Sequence, residues 1–130
     1  MIFGIGTDIV RVARMQKNLE RYGERFAERL LGPDELEAFR RNARPAHFLA
    51  KRFAAKEATA KAMGTGFTGG LAFHHIVVTH EPGGRPVLAC TGKAADFLRQ
   101  HAITETHLSL SDEDEYAIAY VILISDEAQM

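Results

Sequence analysis

Residues 53 to 61 read Phe53-Ala54-Ala55-Lys56-Glu57-Ala58-Thr59-Ala60-Lys61. At about 100° per residue along a helix, Leu49, Phe53, Ala60 and Met63 fall on one side. Ala54, Ala58 and Ala62 fall on another, with Ala55 beside them. Small side chains let neighbouring backbones approach, so the alanine side is also expected to be covered. Lys56 falls within the larger apolar surface, while Glu57 and Lys61 lie between the two. Two readings stay open for that pair. One is an exposed i,i+4 ion pair, which contributes about 0.3–0.5 kcal/mol. The other is a carboxylate held between packed surfaces, which is costly unless a metal or another cation compensates it.

Working outward, Pro45 opens this helix and Gly64-Thr65-Gly66 ends it after Met63, with a glycine-rich loop following. Upstream, Ile2 to Val10 reads as a strand interrupted by Gly4 and Gly6. Arg11 to Leu31 carries Val12, Met15, Leu19, Tyr22, Phe26 and Leu30 at helical spacing, with Gly23 able to bend or split it. A short helix starts after Gly32 and runs to about Arg41. Downstream, strands are expected at 76–80 and 86–91, joined by the turn Glu81-Pro82-Gly83-Gly84. A helix is expected at 94–101, and an alternating strand at 107–111. After the acidic turn Asp112-Glu113-Asp114-Glu115, the nearly continuous apolar run 116–124 reads as a central strand. Helices interleaved with antiparallel hairpins predict an α+β fold. It is expected to be one small domain over 1–130, with a mostly antiparallel sheet packed against the long helix.

Composition narrows the function classes. The chain has 130 residues, 46% hydrophobic and 25% charged, with a net charge of −1. That balance argues against a nucleic-acid binder built on global positive charge. No apolar run approaches the roughly 18 residues that span a bilayer, and the N-terminus lacks a basic leader, so a cytoplasmic location without a membrane partner is expected. The one cysteine, Cys90, permits no internal disulfide.

Asp8 sits on the first strand and shares a face with Gly4 and Gly6, while Phe3, Ile5, Thr7 and Ile9 take the other face. Glycines beside an acid allow a backbone or a ligand to come close. Asp8 is either a cap for the next helix or, with Glu57, one of two hard oxygen donors of the kind that hold Mg²⁺ together with waters and phosphates.

Gly4-Ile5-Gly6-Thr7-Asp8-Ile9-Val10, and then Arg52-Phe53-Ala54-Ala55-Lys56-Glu57-Ala58 with Lys61, resemble the paired signatures of the 4′-phosphopantetheinyl transferases. The likeness is to their small bacterial type. Gly64-Thr65-Gly66, Gly84-Arg85-Pro86 and Ser109-Leu110-Ser111-Asp112 with Tyr116-Ala117 follow in the same order. The resemblance covers essentially the whole chain. It implies a homotrimer with coenzyme A between subunits. It also implies transfer of the 4′-phosphopantetheine arm to a serine of apo-acyl carrier protein, with adenosine 3′,5′-bisphosphate released, in the service of fatty acid biosynthesis.

By the family's pattern Asp8 and Glu57 carry Mg²⁺, Lys61 reaches the phosphates, and these three form the catalytic group. Arg52, Lys61, Gly66, Arg85 and Pro86 are the expected coenzyme contacts. For Gly66 a plain helix-ending role stays open, as does a plain hairpin turn for Arg85 and Pro86. The serine proton has two candidate acceptors, Glu57 directly or a coordinated water. Arg14, Lys17, Arg21 and Arg25 form a basic stripe, read either as a solvated face or as the docking surface for the acidic carrier protein. Arg11 stands where many relatives have an acid, and Asp112 where many have histidine. A non-catalytic binding module and a hydrolase that cleaves coenzyme A without an acceptor are the competing classes.

Overall fold

The structure, a computed structural model, describes residues 1–126. β1 (Ile2–Arg11) turns Gly4, Gly6, Asp8 and Val10 inward and leaves Ile5, Thr7 and Ile9 outside. Chain direction then changes through α1 (Val12–Tyr22), α2 (Glu24–Leu30), α3 (Pro33–Arg40) and α4 (Pro45–Met63). A 3₁₀ turn at Phe73–His75 leads to the hairpin β2 (Ile76–His80) and β3 (Pro86–Cys90). α5 (Gly92–Gln100), β4 (Ile103–Asp112) and β5 (Tyr116–Ser125) complete the described chain.

β1, β5 and β4 form one antiparallel sheet in that order, with the apolar β5 in the centre as its composition predicts. β2 and β3 form a separate antiparallel pair. α4 lies across the inner face of β1 and β5. Contact there is backbone to backbone. A Cβ built on Gly4 would come within 1.9 Å of the Ala62 carbonyl oxygen, and one on Gly6 within 1.8 Å of the Ala58 carbonyl oxygen. The register sets Gly6 opposite Val121, Asp8 opposite Ala119 and Val10 opposite Ala117. Small residues on both layers thus bring the helix down onto the sheet, and larger ones around them, Met15, Leu49, Val121 and Leu123, fill the core.

Several expectations change. Gly23, at φ 64°, separates α1 from α2, and Tyr22, expected in the core, is 52% exposed because α1 ends at that residue. Phe3 does not sit with Ile5 and Ile9 on the outer face. The ladder register shifts between Ile2 and Gly4, and the Phe3 ring packs edge-on against Phe97 and His101. α5 begins at Gly92 rather than at Ala94, and β3 ends one residue early, at Cys90. β4 is twice its expected length, because its first residues pair with the end of β5 although they lack clean alternation.

Candidate active site

Lys61 resolves the opening ambiguity. Its ammonium does not pair with Glu57 one turn back; it donates to the Asp8 carboxylate at 2.9 Å and to the Thr7 carbonyl at 3.1 Å. Because β1 and α4 touch through glycine and alanine, side chains following those contacts meet across the seam. Asp8 is two residues after Gly6, Glu57 is next to Ala58, and Lys61 is next to Ala62. The three residues come together at one edge of the layer contact.

Electrostatics there are strained. Partial burial pushes the Glu57 carboxyl above its usual range, the Asp8 carboxylate pushes it further, and Lys61 and Arg14 act in the opposite direction. A carboxyl whose proton affinity is raised by burial and by the neighbouring Asp8 carboxylate forms with it a donor set that a divalent cation would relieve, and their oxygens suit Mg²⁺. Among the described residues, no three His, Cys, Asp or Glu side chains gather closely enough to hold a metal by themselves. A cation at this pair would therefore complete its shell with water and substrate oxygens.

Arg14, expected on the docking stripe, also borders this seam. Its guanidinium lies 5.0 Å from the Phe53 ring centroid, one turn from Glu57. Lys17 and Arg21 are exposed on α1, with Arg21 over the Tyr22 ring at 5.2 Å. Arg25 is on α2, beyond the break at Gly23, and lines a shallow cleft with Tyr22, Phe26 and Arg29. The four basic residues are thus split between two helices.

The expected coenzyme residues lie in different surroundings. Arg52 is buried, its Nε 3.4 Å from the Glu35 carboxylate and its guanidinium 4.3 Å from the Phe48 ring centroid. It faces away from Lys61, on the side of α4 that also carries Lys56. The Gly66 N–H donates to the Ala60 carbonyl at 3.3 Å, so this group closes the helix end and is not free for phosphate. Arg85 is exposed at the β2–β3 turn and pairs with Glu81 at 2.8 Å, and Pro86 stands opposite His80. Partial burial, followed by the charges of Arg52 and Lys51, lowers the His80 pKa, so the hairpin and this part of α4 are electrostatic neighbours.

Both departures from the family pattern have local partners. Arg11 donates to the Tyr116 hydroxyl at 3.3 Å. Asp112 lies 3.9 Å from Lys51, so the acid at that position has a cation beside it. Volume by itself points elsewhere. A cleft of about 710 Å³ lies between the starts of α1 and α4 and the acidic turn, lined in part by Arg11, Gln16, Arg44, His47 and Tyr116. It contains none of Asp8, Glu57 and Lys61. We favour the acid pair because it presents the chemistry, whereas the cleft's charges are largely matched, Arg44 with Asp114 at 3.8 Å. Burial pushes the Cys90 thiol up to about 11, which leaves it a poor nucleophile.

Reading the sequence missed Glu35. Its carboxylate is 2% exposed and meets Lys56, which is fully buried. The available signal was Lys56 itself, since an ammonium within an apolar helix face demands a counter-charge.

Residues 4–121 match the model of the 4′-phosphopantetheinyl transferase superfamily. The chain is 53% identical over 125 residues to a holo-[acyl-carrier-protein] synthase of Halorhodospira halophila, covering 96% of this chain and 99% of that protein. It is 50% identical over 123 residues to one from Vibrio cholerae, covering 95% and 98% respectively. Among solved structures it resembles the holo-[acyl-carrier-protein] synthase of Neisseria meningitidis, with a TM-score of 0.90, 42% identity, and coverage of 96% of this chain and 100% of that one. It also resembles the Helicobacter pylori synthase in complex with coenzyme A, with a TM-score of 0.80, 31% identity, and coverage of 92% and 99%.

Proposed function

Since the chain belongs to the 4′-phosphopantetheinyl transferase superfamily and, within it, to the holo-[acyl-carrier-protein] synthases, we propose that it moves the 4′-phosphopantetheine arm of coenzyme A to a serine of apo-acyl carrier protein. The observation that carries this reading is the meeting of Asp8, Glu57 and Lys61 at the β1–α4 seam. In the reaction, the serine oxygen forms a bond to the phosphorus that bears pantetheine. The bond to the bridging oxygen breaks, and adenosine 3′,5′-bisphosphate leaves. Asp8 and Glu57 would hold Mg²⁺, which when bound supplies positive charge to the pyrophosphate oxygens. Lys61 swings from Asp8 to those oxygens and binds them as a point charge. Glu57 is the acceptor for the serine proton. Most of the acceleration comes from alignment and charge neutralisation, because phosphoryl transfer needs little covalent help from protein.

The proposal extends to assembly and setting. Ile5, Ile9, Ile118 and Tyr120 stand exposed on the outer sheet face, at 50%, 61%, 42% and 44%. An apolar face of this extent supports association with further copies, which we take to be a homotrimer. We assign residues 1–130 to one transferase domain, acting in the cytoplasm in fatty acid biosynthesis. Among the described residues, no helix is long and apolar enough to cross a membrane. Arg52, Arg85 and Pro86 remain the proposed coenzyme contacts, Gly66 being taken up by the helix end, and Arg14, Lys17, Arg21 and Arg25 the proposed carrier-docking residues.

The deciding experiment incubates the protein with apo-acyl carrier protein, coenzyme A and Mg²⁺ and measures intact mass. Gain of one phosphopantetheine on the carrier is expected. Coenzyme A cleaved with no gain would favour a hydrolase, and an unchanged mixture a binding module. Two further outcomes follow. Changing Lys17 and Arg21, the stripe residues of α1 away from the seam, to Glu should raise the carrier KM about tenfold or more and leave the coenzyme A KM unchanged; equal effects on both would remove the stripe from docking. Mg²⁺ at about ten times its Kd should stabilise the fold by roughly 1.4 kcal/mol at neutral pH, read as a rise in Tm. Glu57 has a raised pKa in the fold, so its ionisation costs stability as pH rises through that value. The Mg²⁺ effect should therefore fade as pH falls towards the ordinary carboxylate range and the acids protonate. An Mg²⁺-induced rise that survives Asp8→Asn would count against the acid pair as its source.

A further inference from the structure

We infer that Glu35, which lies outside the acid pair, is a positioning residue for the nucleotide end of coenzyme A; this rests on the transferase reading above. Its two carboxylate oxygens divide their partners between elements. Oε1 accepts from the Gly32 N–H at the start of α3, at 3.0 Å, and from the Lys56 ammonium on α4, at 2.8 Å. Oε2 accepts from the Val78 N–H of β2 at 3.0 Å and lies 3.4 Å from the Arg52 Nε on α4. Lys56 completes the tie by donating to the Phe73 carbonyl at 3.1 Å and to the Ile76 carbonyl.

One buried carboxylate thus holds three elements at once, and two of them carry proposed coenzyme contacts. α4 carries Arg52, and the β2–β3 hairpin carries Arg85 and Pro86. Burial of two cations around one acid is a poor way to gain stability, because desolvation offsets most of the attraction. It is an effective way to hold direction. Arg52 has its Nε buried with no hydrogen-bond partner, and the ion pair with Glu35 and the Phe48 ring leave the guanidinium little freedom. Glu35 therefore orients Arg52 and sets the distance between that guanidinium and the hairpin turn. A phosphomonoester and purine spanning the two would find both contacts already in place.

Two variants test this: Glu35→Gln, and Glu35→Gln combined with Lys56→Met. The second removes the fully buried Lys56 ammonium together with its counter-charge, leaving only Arg52 without the acid, and is expected to lose less stability than the single variant. For each, steady-state constants are measured with coenzyme A and with carrier protein, and adenosine 3′,5′-bisphosphate alone is titrated by calorimetry. The expected result is a coenzyme A KM raised about tenfold or more, with bisphosphate affinity reduced by a similar factor. The kcat at saturating coenzyme A and the carrier KM should stay near wild type. Unchanged bisphosphate binding in the double variant overturns the inference. So does a loss spread evenly over kcat and both KM values, or failure of both variants to fold, since each assigns Glu35 to stability alone. Wild-type protein that modifies no carrier protein would instead defeat the transferase reading, before any variant is considered.

Discussion

Gly6→Ala is expected to lower stability by about 3 kcal/mol or more, at the upper end of overpacking effects, because the obstacle is backbone. The added Cβ would lie 1.8 Å from the Ala58 carbonyl oxygen and 2.8 Å from the Ala62 nitrogen. A flexible side chain would step aside at small cost, but a helix carbonyl moves only if α4 moves. Since Glu57 adjoins Ala58 and Asp8 follows Gly6 by two residues, lifting α4 from β1 also parts the two acids. Turnover of the folded fraction should then fall about a hundredfold, the usual consequence of misplacing catalytic groups by about 1 Å. Calorimetry and the carrier mass assay read the two effects. Gly83→Ala is the control: its Cβ meets nothing within 4 Å, and a surface change of that kind should stay within about 0.5 kcal/mol. A Gly6→Ala protein that melts and turns over like wild type would mean that α4 and β1 do not touch as described.

Glu57→Gln should reduce Mg²⁺-dependent transfer by about a thousandfold, comparable to deleting a group that stabilises charge in a transition state. The amide keeps the shape of the side chain but supplies one neutral oxygen where the carboxylate supplied charge, and it cannot accept the serine proton. Stability should move the other way. Burial and Asp8 disfavour the ionised Glu57, so the fold is most stable with respect to this group below the ordinary carboxylate pKa. That advantage is lost as pH rises through the raised, folded-state value. Glutamine carries no such cost, so without Mg²⁺ the variant should melt at or above the wild-type temperature near neutral pH, with the proposed homotrimer intact. The Mg²⁺-induced rise in Tm should largely disappear. Full activity in this variant would remove Glu57 from the chemistry, and a large drop in melting temperature would make its role structural.

Asp8, Glu57 and Lys61 were legible before any coordinates. Glycine spacing singled out the first strand, alanine spacing the long helix, and the charges stood out against both. The partners of those charges were not legible. Lys61 at i,i+4 from Glu57 suggested a local pair, yet its ammonium reaches across the layers to Asp8. Nothing in the local pattern singled out Glu35, although its carboxylate anchors Lys56, Arg52 and Val78. Gly23, which on paper could either bend or split the first helix, splits it, and so sets Arg25 on α2 apart from Arg14, Lys17 and Arg21 on α1.

By itself, the sequence determined the elements and the small-residue seam, because backbone conformation and the size of a side chain are local properties. Periods of two and of 3.6 place Gly6 beside Asp8 and Ala58 beside Glu57 whatever the rest of the chain does. Only the tertiary structure decided which charge answers which. A counter-ion is chosen by distance in space, and the residues that meet around Glu35 and Asp8 come from elements whose separation along the chain carries no record of their approach.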